Sequence, residues 1–289
     1  VATRLACRHP SVTCLTDGDD LYRPDWPFTW TDDCLMKITI LGGTGLAGAR
    51  VAAALRNRGI ETIVASRSSG VDVLTGVGLS EALAGAQVAL DLTDPRSRGE
   101  LGVTLLDFHA TAARRLGDAA RTAGVGHVVI LSAIGADRLV LSDFFLAKIT
   151  QESLVRTCGI PFTIIRTATL FEQIYRIVDA ETDAEGAIRV PPLELRPAAA
   201  ADVGEIVAEA AVGTPLNDVF EVGGPETLDL ATLMRGMLTA NVDPRGVVVE
   251  NDALFYGMQI GAERLFPRQP AVTTEIRFED WLREFVARA

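Results

Sequence analysis

From Met36 onward, short apolar runs rich in Val and Ile alternate with Ala-rich stretches. Such runs suit buried strands and the stretches between them suit helices, so the rhythm predicts an α/β fold: a doubly wound parallel sheet with helices on both faces. Strands are expected at 37–41, 61–66, 87–92, 127–132, 161–166 and 218–222. Helices are expected at Ala47–Arg58 and Thr104–Ala123, ended by Gly59 and Gly124, which suit the left-handed position after a helix. "SDFFLAKITQE", residues 142–152, opens another helix. After about residue 168 the rhythm loosens. "EGAIRVPPLELRP" carries prolines that forbid a long helix, and "AAADVGEIVAEAAVG" restores one. In the closing "FEDWLREFVARA", Phe278, Trp281, Leu282 and Phe285 share a helical face suited to core packing. A small C-terminal substrate lobe, formed mainly by 168–200 and 225–289, is expected over the carboxyl edge of the sheet, where open α/β sheets bind ligands.

Residues 1–35 differ in character, mixing acidic residues, prolines and tryptophans without periodicity. They read as a disordered extension or an overlong start ahead of Met36, in preference to a partner-binding arm. The formal charge of −11 argues against direct nucleic-acid binding, which needs a basic face. No run approaches the roughly 18 apolar residues of a spanning helix, and no secretory leader is visible, so no membrane partner and a cytoplasmic location are expected. Cys7, Cys14, Cys34 and Cys158 are spaced for neither a disulfide framework nor a zinc site, and no metal is expected.

"GGTGLAG" places Gly42, Gly45 and Gly48 directly after the first long strand and at the start of a helix, with Thr44 and Leu46 between them. Gly42 permits the tight turn, Gly45 lets the backbone approach a pyrophosphate, and Gly48 allows close helix packing. The helix N-terminus then offers free N–H groups to phosphates, which predicts a bound dinucleotide. After the second strand, where an NAD site would carry Asp or Glu for the ribose hydroxyls, this chain has Ser66, Arg67, Ser68 and Ser69. A guanidinium among hydroxyls suits a 2′-phosphate, so NADP(H) is expected in preference to NAD(H).

The pieces "ITILGGTGLAG", "VALDLTD", "AGVGHVVILSAIGADR", "AKITQESLVRTCGIPFTIIRTA" and "FEVGGPETLDL" together span most of the chain after Met36. In this order the chain resembles the atypical short-chain dehydrogenase/reductases, particularly the NmrA-like, NAD(P)H-binding branch. The resemblance implies a Rossmann fold and a Ser, Tyr and Lys working together. Ser132, residue 144 and Lys148 have the family spacing, but residue 144 is Phe. Phe cannot donate a proton, so the usual carbonyl reduction lacks its central acid. Lys148, one of two lysines in the chain, retains a role on the nicotinamide ribose.

The expected catalytic pair is therefore Lys148 and Ser132. Gly42, Thr44, Gly45, Leu46, Gly48, Ser66, Arg67, Leu92, Thr93, Ser132 and Lys148 are expected around the cofactor, and Phe144, Phe171 and Tyr175 around the substrate. Glu172 reads as a helix-start carboxylate and Gln173 as a further cleft candidate, while Arg166 touches cofactor or substrate or forms a structural ion pair. His109, with no placed partner, reads as packed or solvent-facing rather than catalytic. The function expected is an NADP(H)-dependent oxidoreductase acting on a small organic electrophile, such as a quinone, enone, imine or carbonyl. The alternative is a non-catalytic NADP(H) sensor of the NmrA type, read by a protein partner.

Overall fold

The computed structural model describes residues 13–14, 36–95, 102–180, 182–183, 186–260 and 265–288. The remainder of the N-terminal extension lies outside the described residues. The first half runs β1 (Thr13–Cys14), β2 (Lys37–Leu41), α1 (Leu46–Asn57), β3 (Glu61–Ala65), α2 (Leu79–Leu83), β4 (Val88–Asp91), α3 (Leu105–Ala123), β5 (His127–Ala133), α4 (Asp143–Arg156) and β6 (Phe162–Thr167). The second runs α5 (Phe171–Ala180), β7 (Ile188–Val190), β8 (Glu194–Leu195), α6 (Ala200–Val212), β9 (Asp218–Gly223), β10 (Leu228–Asp229), α7 (Leu230–Ala240), β11 (Val247–Val249), β12 (Leu254–Phe255), β13 (Met258–Gln259), β14 (Ala271–Thr273) and α8 (Phe278–Arg288).

The main sheet has the order β1-β14-β9-β6-β5-β4-β2-β3. All its neighbours are parallel except β1, which pairs antiparallel with β14. The six expected strands lie within a residue of their observed bounds. Alternation along them decides the layers: Ile38 and Ile40 enter the core under α1 and α6, whereas Leu41 faces α2, α3 and α4. Thr39, on the second face and fully buried, satisfies its hydroxyl by donating to the Ala82 carbonyl at 2.6 Å. Gly59 and Gly124 adopt the left-handed backbone predicted for them, with φ of 75° and 74°. At the other end of α3, the Thr104 hydroxyl accepts from the Asp107 N–H, capping the first turn.

The lobe is assembled from separated pieces. β7 pairs parallel with β11, β8 antiparallel with β10, and β12 with β13 as a hairpin. The predicted apolar stripe of the last helix does pack: Trp281 lies 5.4 Å from Phe171 and 5.3 Å from Phe285, ring centre to ring centre. One stretch assigned to the lobe from sequence belongs elsewhere, because β14 returns to the main sheet beside β9. No helix among the described residues is long and apolar enough to cross a membrane.

Candidate functional site

A cleft of about 670 Å3 runs along the carboxyl edge of the sheet, from the glycine loop to the lobe. Gly42 has φ +74°, and a side chain there would meet the Leu92 carbonyl oxygen at 2.7 Å. A Cβ on Gly48 would come to 2.3 Å from the Gly42 oxygen, so this glycine serves the packing of the first helical turn against the loop itself. At Gly45 the nearest atom to such a Cβ is the Gly42 oxygen at 3.1 Å, and the residue is exposed where the loop faces the cleft. The loop is thus a cradle kept open by missing side chains, with the α1 N-terminus behind it, as an anionic pyrophosphate requires.

Ser66 and Arg67 line the adjoining wall, at the end of β3. Ser66 starts a short 3-10 turn, Arg67–Ser69, in which its N–H donates to the Ser69 hydroxyl and its own hydroxyl bonds that of Ser68. Asp72, on the same wall, turns its carboxylate to the N–H groups of Leu74 and Thr75. Arg67 is exposed and has no carboxylate partner among the described residues. The same holds for Arg50 and Arg176, two further cations lining the cleft.

Lys148 and Phe144 stand one turn apart on α4 and both line the cleft. The Lys148 ammonium donates to the Leu131 carbonyl at 3.2 Å and to Gln151 Oε1 at 3.4 Å. Gln151 in turn donates to Asp91 at 2.8 Å, and Asp91 accepts from both the N–H and the hydroxyl of Thr93. A chain of hydrogen bonds therefore ties Lys148 to Thr93 across β4 and β5. Ser132 also lines the cleft, but its hydroxyl donates to Glu152 Oε1 at 2.6 Å. Its single proton is engaged, so toward a ligand it acts as an acceptor.

Behind Ser132 lies a buried row of charge that the strand register creates: Ser132 is opposite Arg166, and Arg166 opposite Glu221. Arg166 makes a two-pronged bond to the fully buried Glu152, at 2.9 and 2.8 Å, and pairs with Asp137 at 3.0 Å. Burial opposes the Arg166 charge, yet Glu152, Asp137 and Glu221 outweigh it and raise its pKa. Burial likewise opposes ionisation of Asp137, and Arg166 and Arg138 still hold its carboxyl below the usual range. At Glu221 burial wins and pushes the carboxyl up. Arg166 is accordingly a structural ion pair and not among the residues that line the cleft.

The fold brings Gly42, Thr44, Gly45, Leu46, Ser66, Arg67, Leu92, Thr93, Ser132, Phe144 and Lys148 to one cleft. Two expected substrate residues are not brought there. Phe171 is 1% exposed and packs in the aromatic cluster of α8. Tyr175, one turn further along the same face of α5, packs half-buried against the lobe core, donates to Asp243 at 2.8 Å and lies under the Arg245 guanidinium. Glu172 and Gln173 line the cleft, where Glu172 accepts from the Ala200 N–H and the Trp281 indole. His109 is buried edge-on to Phe108. Sequence reasoning missed Asp91, Gln151, Glu152 and above all Tyr256. The first three are polar residues on otherwise apolar faces, a signal that was present. Tyr256 reaches the cleft only through the fold of the lobe.

No family model matches the chain, and no curated protein does. Solved structures do. UDP-N-acetylglucosamine 4-epimerase from Bacillus cereus matches with a TM-score of 0.62 at 18% identity, covering 88% of this chain and 99% of that one. A short-chain dehydrogenase/reductase superfamily protein from Agrobacterium tumefaciens with bound NAD gives 0.58 at 17%, covering 87% and 96%. NADPH-dependent quinone oxidoreductase from Escherichia coli, complexed with NADPH, gives 0.57 at 22%, covering 74% and 78%. At these identities the likeness is one of fold, and the fold is the Rossmann α/β sheet of these proteins.

Proposed function

We propose that the protein is an NADP(H)-dependent oxidoreductase acting on a small, largely apolar organic electrophile such as a quinone, enone, imine or carbonyl. The observation that carries this reading is the continuity of the cleft. A glycine cradle and Arg67, which has no carboxylate partner among the described residues, lie at one end. At the other, Lys148 sits beside a wall of Ile134, Phe144, Leu195, Tyr256 and Leu265. Such a wall offers little to the hydroxyls of a sugar and much to a planar apolar acceptor.

When bound, the dinucleotide supplies hydride. The residues of the chain hold and orient it. The loop at the α1 N-terminus, from Thr44 to Leu46, would hold the pyrophosphate, Arg67 and Ser66 the 2′-phosphate, and Leu92 and Thr93 the adenine side. Lys148, held through Gln151 and Asp91, would bond the nicotinamide ribose. Phe144 in place of an acid favours a second reading, an NADP(H) sensor whose output is a partner protein.

One assay separates the two. NADPH oxidation is followed with quinones, enones, imines and aldehydes, beside Lys148→Met. Turnover in the parent, reduced at least about tenfold in the variant, is the expected result, since positioned polar groups at a reacting centre are worth that or more. NADPH binding with no turnover across the panel would instead establish the sensor.

A further inference from the structure

We infer that Tyr256 supplies the proton in this cleft, from the lobe rather than from α4; the inference rests on the oxidoreductase reading. Tyr256 and Gly257 form the two-residue turn between β12 and β13, both with positive φ, 50° and 75°. Such turns favour Asn, Asp or Gly at the first position, and an aromatic residue there is strained. The ring is nonetheless held firmly. It stacks on Phe144 at 4.6 Å and 15°, and meets Phe145 and Phe255 edge-on at 5.5 and 4.6 Å. Its carbonyl accepts from the Ser142 hydroxyl at 2.6 Å. Phenylalanine would serve that packing equally well, so what tyrosine adds is the phenol, in a residue that lines the cleft.

Ser132 donates to Glu152, Lys148 donates to Leu131 and Gln151, and Glu172 accepts two N–H bonds. Tyr256 takes the acid's role because its ring stacks on Phe144, the residue at the position of the family's acid, one turn from Lys148. In the step assigned to it, the carbonyl carbon of the acceptor takes hydride from the reduced nicotinamide dinucleotide, and the C=O π pair moves to oxygen. The Tyr256 O–H bond breaks as a new O–H bond forms on that oxygen, and water reprotonates the phenolate.

The test uses the full chain, NADPH and 9,10-phenanthrenequinone, a planar apolar diketone. Tyr256→Phe keeps the stack and removes only the phenol. The expected result is a fall in kcat of about 100-fold, within the range for losing a general acid, with NADPH affinity by fluorescence titration within twofold of the parent. Independently of turnover, nitration of Tyr256 by tetranitromethane, read by mass spectrometry of its peptide, should be slowed when NADP+ and the quinone are added together. Turnover of Tyr256→Phe within threefold of the parent, or nitration indifferent to the ligands, would overturn the assignment while leaving the oxidoreductase reading intact. A parent that binds NADPH and reduces no acceptor removes the oxidoreductase reading, and the proton donor falls with it.

Discussion

The proposed preference for NADP(H) is tested at Arg67, whose guanidinium is exposed on the wall beside Ser66 while the nearby Asp72 carboxylate is held by its own loop. Arg67→Asp should weaken NADPH binding by roughly 10- to 100-fold, the worth of a charge-assisted hydrogen bond, and spare NADH. Fluorescence titration reads both, and equal affinities in the parent would remove the 2′-phosphate assignment. A different residue contributes to the dependence of stability on acid pH. His127, buried at the start of β5 with Nε2 bonded to the Thr163 hydroxyl at 2.9 Å, has its pKa lowered by burial to about 4. The unfolded chain takes up that proton near pH 6.5, so this contribution to stability is whole above 6.5 and shrinks as pH falls toward 4, by as much as about 3 kcal/mol. Urea unfolding of the parent and His127→Gln at pH 7 and pH 4.5 should show the difference between them narrowing at the lower pH.

At the scale of elements, the glycine loop and α1 act as one unit. Gly48→Ala would force a methyl group to 2.3 Å from the Gly42 oxygen, where backbone must move on both sides. The variant should lose NADPH binding and melt several degrees lower, whereas Gly59→Ala, with open space around it but φ +75°, should lower Tm modestly and bind NADPH normally. The same contrast explains what was legible beforehand. Strands of the main sheet announce themselves as β-branched runs because both faces are buried, and the cradle announces itself by spacing. The lobe does not: β8, β10, β12 and β13 are two residues each, too short to carry a period. Phe171 and Tyr175 were drawn toward the cleft because they follow β6 in sequence. The face of α5 that carries both, one turn apart, turns instead into the lobe core, where Tyr175 ends at Asp243, and Glu172, Gln173 and Arg176 face the cleft. Tyr256 was invisible for the opposite reason, since its anchor at Ser142 lies 114 residues away.

For the whole molecule, the row Ser132, Arg166 and Glu221 joins three strands and α4 behind the cleft, with Glu152 fully buried at its centre. Arg166→Met would leave that carboxylate without its cation and should destabilise the fold by about 3–5 kcal/mol, measured by urea unfolding. Replacing Glu152 and Arg166 together with Gln and Met should cost markedly less. The late return of β14 to the sheet bears on how the chain is made. Until residues 271–273 have left the ribosome, β9 presents an unpaired edge, and the aromatic face that Phe278 and Trp281 cover on Phe171 stays open. The nascent protein is thus most vulnerable to sticking to its neighbours just before synthesis of this seam, and a chaperone that shields strand edges would matter most in that interval.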